Sequence, residues 1–381
     1  MVEGTGIDPK ATQARLLASR LFQASLGAAE LMAAYLGIHL GLYDALATGG
    51  PSTAPMLAKR AGIGYRYARE WLEQQAACGM VEVDEVTKPT DDRLYLLPPG
   101  HAEALTDPDS LFWIAPIAML PVGGMTHVLP KLLEAYRTGT GVPYAEYGPD
   151  FRGNQAGLNR GILLHQLARW IEKGMPYTHS RLKTGGVRVA DIGCGVGWSS
   201  IALAHAYPKI FIDGFDLHEA SIDDARRNAR EAGVADRINF VASDAAASKS
   251  SYALVCIFDA LHDMPRPVEV LRTCRALLDD TGEALLLEPN AAEAFAAPAS
   301  ETERFLYAIS LLHCLPVGLT EQPSAATGTV LRPAILRAYA AEAGFPTVSV
   351  VPIDHRFYRL YHLIPSRDNE RNPAVSMKPH K

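Results

Sequence analysis

The stretch Val189-Ala-Asp-Ile-Gly-Cys-Gly-Val-Gly197 decides how this chain folds. An apolar run leads into Asp191, glycine then occupies positions 193, 195 and 197, and Trp198 to Ala206 continues as a helix. A strand that turns sharply into a helix needs glycine where the backbone leaves the ordinary regions or comes close to a ligand. The spacing is GxGxG rather than the GxGxxG of dinucleotide folds.

Downstream the pattern alternates. Val187–Asp191, Ile210–Phe215, Ile238–Val241, Leu254–Phe258 and Glu283–Leu287 read as apolar strands, with helices at Ala220–Ala232 and Arg266–Leu278 between them. Strands of this kind, alternating with helices, predict a mostly parallel α/β sheet covered on both faces. A helix at Leu331–Ala343 and strands at Thr347–Val351 and Phe357–Leu363 complete a Rossmann-like sheet of seven strands.

Ligands of such sheets bind outside the carboxyl ends of the strands. Asp191 ends the first strand, where a carboxylate can hold an amino group. Asp216, followed by Leu217, ends the second, at the usual place for ribose hydroxyls. Ser243-Asp244-Ala245 follows the third, where an acid can accept from an adenine amino group, and Phe258-Asp259 follows the fourth. The competing reading is that Asp216 and Asp244 cap the helices after them. The ordered set describes a nucleoside with an amino-acid tail.

On these residues the chain resembles the class I S-adenosylmethionine-dependent methyltransferases over about residues 185–365, whose seventh strand is antiparallel. The resemblance implies S-adenosyl-L-methionine as cofactor, bound by Asp191, Gly193, Gly195, Gly197, Asp216, Leu217, Ser243, Asp244, Ala245, Phe258 and Asp259. Phe258-Asp-Ala-Leu-His262-Asp263-Met264 resembles the Leu-His-Asp stretch of winged-helix small-molecule O-methyltransferases, which makes His262 the candidate general base and Asp263 its orienting partner. An imidazole takes a proton near neutral pH; the bland alternative is a pocket histidine that exchanges none. Tyr67-Ala-Arg-Glu-Trp-Leu72 and Gly141-Val-Pro-Tyr-Ala-Glu-Tyr147 extend the resemblance to a bacterial winged-helix group. It implies that Tyr144, Tyr147 and the helix around Leu163–Trp170, including His165, roof the substrate.

The N-terminal third predicts helices at Leu26–Ala47, from Ser52 or Thr53 through Ala61, and at Tyr65–Cys78, then a hairpin of Val81–Val83 with Arg93–Leu96. Helices followed by a hairpin make a winged helix. Residues 1–110 hold nine Lys/Arg against fourteen Asp/Glu. A DNA reader needs a basic face, so dimerisation is expected here and a ligand-sensing regulator is the disfavoured alternative.

The expected organisation is 1–110 winged helix, 111–184 helical connector, 185–365 cofactor domain with a lid insertion at 291–330, and a flexible tail 366–381. The lid carries a helix, Glu301–Leu315, that brings Tyr307 and His313 to the substrate. His262, Asp263 and His313 are also the residues of a possible two-histidine, one-carboxylate metal site. It would serve a C-methyl or N-methyl variant of the reaction, as in C-methyltransferases on keto acids that resemble this plan.

The 381 residues carry a net charge of −6, which gives no electrostatic reason for a nucleic-acid or membrane partner. The apolar stretch Leu111–Leu129 is interrupted by Pro116, Pro121 and Gly123-Gly124, so broken helices rather than a membrane span are expected. Met1–Lys10 is polar with no apolar h-region after it, and no secretory leader is expected. Five cysteines without a CxxC pair fit reduced thiols in a cytoplasmic homodimer acting on a small molecule.

Overall fold

A computed structural model describes residues 8–366. By internal contacts the chain divides into Met1–Gly124 and Met125–Lys381, a boundary inside the segment read as connector. Of the tail read as flexible, only Ser366 lies within the described residues.

The first unit opens with α1 (Pro9–His39), started by the Asp8 side chain. Next come α2 (Leu42–Gly49), α3 (Ala54–Ala61, capped by Thr53), α4 (Tyr65–Ala77), β1 (Glu82–Val83), β2 (Tyr95–Leu96), α5 (Pro99–Thr106) and α6 (Ala115–Met119). The single helix expected over Leu26–Ala47 is two helices. Gly41 sits at φ +65° and ends the run, which glycine alone adopts without strain. Tyr43, Leu57, Trp71, Leu72 and Tyr95 fill this unit's core, and the antiparallel β1–β2 pair forms the wing. Leu16, Leu17, Leu21 and Phe22 on α1 are exposed. By length and composition α1, rather than the broken stretch after Leu111, is the described helix that suffices to cross a membrane.

The second unit begins with α7 (Thr126–Thr138), α8 (Gly148–Gly174) and α9 (Pro176–Thr184). Then follow β3 (Arg188–Ile192), α10 (Trp198–Ala206), β4 (Phe211–Asp216), α11 (Glu219–Glu231), β5 (Ile238–Ala242), β6 (Tyr252–Phe258), α12 (Pro267–Leu277) and β7 (Leu278–Pro289). The chain continues through α13 (Glu301–Ile309), α14 (Leu315–Gly318), α15 (Pro333–Glu342), β8 (Thr347–Val351) and β9 (Tyr358–Ile364). The sheet order is β5-β4-β3-β6-β7-β9-β8, with β9 antiparallel to both neighbours.

Successive strand residues face opposite layers. Leu254, Cys256, Leu285 and Leu287 join the core under α8, α10 and α11, while Val255, Ile257, Ala284 and Leu286 join the one under α12 and α15. The order reverses at β3, whose neighbours are β4 and β6. That is the crevice-forming point of such a sheet.

Candidate active site

All three loop glycines after β3 have positive φ: 69°, 52° and 87°. A Cβ on Gly197 would lie 2.6 Å from the Phe240 ring, whereas one on Gly195 would meet nothing within 4 Å. Gly197 is thus required by packing, and Gly195 by backbone conformation beside open space. The loop is pinned from the next strand: Gly193 and Cys194 donate backbone N–H to the Phe215 carbonyl, and Gly195 donates to Asp216 Oδ2 at 2.9 Å.

Asp191 is fully buried, and its Oδ2 accepts from the Ser199 and Ser200 hydroxyls at 2.5 and 2.6 Å. Its Oδ1 is buried with no partner. Burial outweighs the two hydroxyls and lifts its pKa to about 6, with the Asp216 charge adding to the rise. Asp216 also accepts from the His218 N–H at 2.8 Å, and burial raises it too. Two costly carboxylates beside an open glycine turn suit a cationic ligand that carries amino and hydroxyl groups. Asp244 is exposed and caps the turn Ala245–Ala247 by accepting from Ala246 N–H, so the capping role is real for this residue. Leu217 is exposed, Ser243 half-buried and Ala245 buried.

At the carboxyl end of β6, Asp259 has φ +55° and accepts at Oδ2 from the Asn159 amide (2.9 Å) and the Tyr358 hydroxyl (3.1 Å). These partners come from α8 and β9. Phe258, just before it, is buried.

His262 follows on the short turn Leu261–Asp263 and is 3% exposed. Its Nδ1 lies 2.7 Å from Glu288 Oε2, while Glu288 Oε1 accepts from the Leu261 N–H at 3.0 Å. Its Nε2 lies 3.2 Å from Asp263 Oδ1. Burial pulls the imidazole pKa down, but Asp263 and Glu288 together hold it well above its ordinary value. Glu288, fully buried at the end of β7, was missed by the sequence reading. Its signal was a lone carboxylate closing the apolar run Leu285-Leu-Leu-Glu288.

The helix expected over Glu301–Leu315 holds only to Ile309, then widens into a π-helical turn, Ser310–Cys314. That turn buries His313 among Tyr144, Tyr147 and Phe151, with ring centroids 5.9, 4.7 and 4.4 Å away. Burial lowers the His313 pKa to about 4. Tyr147 donates to the Leu312 carbonyl at 2.8 Å, and Tyr144 also lies edge-on to His218, 5.3 Å away, beside Asp216. The Tyr307 hydroxyl is engaged by Arg332, which also holds Glu303 at 2.8 Å and the Ala292 carbonyl at 2.7 Å. His165 is exposed on α8 and stands outside this buried group. The thiol that approaches His262 and Asp263 is that of Cys314, a residue the sequence reading left as a plain buried cysteine.

Residues 183–333 match the family described as Methyltransferase domain, and residues 27–107 match the Rv2258c-like winged HTH domain. Among curated proteins, the chain is 27% identical over 207 residues to the ubiquinone biosynthesis O-methyltransferase of Xanthomonas euvesicatoria, covering 54% of this chain and 82% of that one. Among solved structures it resembles the mitomycin 7-O-methyltransferase MmcR, with TM-score 0.69 and 20% identity, over 93% of this chain and 100% of the other. It also resembles human N-acetylserotonin methyltransferase in complex with S-adenosylmethionine, with TM-score 0.65 and 16% identity, over 94% and 99%. Matched domains, strand order and glycine turn agree: the chain carries a methyltransferase domain of the class I S-adenosylmethionine-dependent fold, preceded by a winged-helix domain.

Proposed function

We propose that this enzyme methylates a hydroxyl oxygen of a small organic acceptor, with His262 as general base. The observation that carries the reading is the buried Glu288–His262 pair at the carboxyl end of β6. The cofactor supplies an electrophilic methyl on a cationic sulfur. Asp191 is the anchor for its amino group and Asp216 for its ribose hydroxyls. Gly193, Gly195 and Gly197 would let it approach the backbone closely, and Leu217, Ser243, Asp244, Ala245, Phe258 and Asp259 would complete its binding site.

Glu288 accepts the proton on His262 Nδ1, which leaves the Nε2 lone pair for the acceptor's hydroxyl proton. In the resting protein the two carboxylates favour the imidazolium. With a cationic cofactor held nearby, the imidazole would give up that proton more readily and could act as the base. Tyr144, Tyr147 and Phe151 pack on one another and around His313, and an aromatic wall of this kind suits a flat, partly apolar acceptor. The relatives support the oxygen, since the matching proteins of Xanthomonas euvesicatoria, Pseudomonas aeruginosa and Ralstonia nicotianae are each named ubiquinone biosynthesis O-methyltransferase.

We place the lid at 291–330 and pair two chains through the winged-helix domain, where the exposed leucines of α1 and Phe22 suit a second copy. Five free cysteines suit a reducing cytoplasm. The direct test supplies methyl-labelled cofactor with a panel of phenols, aromatic amines and keto acids, and locates the label by mass spectrometry. Label on carbon or nitrogen alone would overturn the oxygen assignment.

A further inference from the structure

The buried group around His262 holds more donors than proton transfer uses. His262, Asp263 and Cys314 each offer one donor atom, and these atoms lie within 4.8 Å of one another. Asp263 Oδ1 faces the imidazole Nε2 but makes no hydrogen bond. The adjacent His313 Nε2 is likewise buried with no hydrogen-bond partner, while its Nδ1 lies 3.3 Å from Cys314 Sγ. Asp263 Oδ1 is thus held by its ion contact with the imidazole alone and His313 Nε2 by nothing, so the group keeps bonding capacity that an occupant could take up. Behind the imidazole, Glu288 grips Nδ1 as outer carboxylates grip metal-ligating histidines, fixing the ring and raising its basicity. Two separate elements supply these donors: the turn after β6 and the π-helical turn after α13.

We propose that His262 Nε2, the Asp263 carboxylate and Cys314 Sγ form a binding site for a thiophilic divalent metal of the zinc class. One nitrogen, one oxygen and one sulfur suit zinc and exclude magnesium or calcium, which take oxygen ligands. Three protein ligands leave a fourth position for water or an acceptor oxygen. Ligation releases the thiol proton, and any proton on Nε2, to solvent. It also occupies the lone pair that would accept the hydroxyl proton, so bound zinc silences methyl transfer. That last consequence rests on the general-base reading, whereas the site does not. Cys314 replaces the third ligand expected from sequence, because His313 is turned into the aromatic cage.

Cobalt(II) is the probe. Full-length enzyme freed of metal and titrated with cobalt should develop a thiolate-to-cobalt charge-transfer band that saturates at one equivalent per chain. Cys314→Ser should abolish the band and weaken zinc binding at least about tenfold. Calorimetric affinity for S-adenosylhomocysteine should stay unchanged, which shows the variant folded. Absence of the band, or its survival in Cys314→Ser, overturns the site and leaves the general-base reading intact. A cobalt band with turnover indifferent to zinc supports the site and overturns the base reading.

Discussion

Two carboxylates flank one imidazole at His262, and their distances assign them different work. Glu288, at 2.7 Å and fully buried, holds Nδ1, while Asp263, at 3.2 Å, faces Nε2, the edge proposed to take the acceptor's proton. His262→Gln should lower kcat by about 10²–10⁴-fold, the usual worth of a positioned base. Its S-adenosylhomocysteine affinity should stay near that of the parent, read by calorimetry. Glu288→Gln is a positioning change: kcat should fall about 10–100-fold with KM little altered, and a loss confined to KM would refute that role.

Asp191 should behave oppositely in stability and in binding. Its folded pKa, about 6, exceeds the unfolded value, so the folded state holds the extra proton. Stability without cofactor should therefore fall as pH rises from 4 through 6 and recover as pH drops again. Asp191→Asn should raise the unfolding midpoint of cofactor-free enzyme at pH 7.5 by a few degrees, following roughly 1–3 kcal/mol of relieved burial. The same change should lower cofactor affinity. A variant both less stable and tightly binding would contradict the anchor role.

Among the elements, the insertion after β7 is held by a buried latch rather than by its own helix. Arg332 joins Glu303 on α13, the Tyr307 hydroxyl and the Ala292 carbonyl, while Glu303 also accepts from the Ala292 N–H. Both charged side chains are largely buried, so removing one leaves the other uncompensated. Arg332→Met should cost about 3–5 kcal/mol in chemical denaturation, and a cost below 1 kcal/mol would show the latch open in solution. The π-helical turn has a related consequence. Widening at Ser310–Cys314 puts His313 and Cys314 on faces that a regular helix through Leu315 would place elsewhere.

At the scale of the whole molecule, cofactor binding should be visible as stability of the sheet unit. S-adenosylhomocysteine at a hundred times its dissociation constant should add about 2.7 kcal/mol to that unit's unfolding, read as a rise in melting temperature. Asp216→Ala should remove most of the rise. Retention of the full shift would mean that Asp216 serves only the turn through Gly195 and His218.

The strand–helix succession, glycine turn and wing were legible because each follows from local rules: apolar strand runs, glycine at positive φ, helices ended by glycine or proline. The acidic balance of the first 110 residues likewise needed no coordinates. Helix ends near Gly41 and Ile309 were misread because a long apolar pattern runs through both breaks. What the chain alone determined is the parallel sheet and the carboxylates at its strand ends, since both are written within segments of ten to thirty residues. What only tertiary structure decided is who meets His262 and Asp259. Glu288, Cys314, Asn159 and Tyr358 lie 26 to 100 residues away from their partners, on strands and helices whose pairing no local pattern encodes.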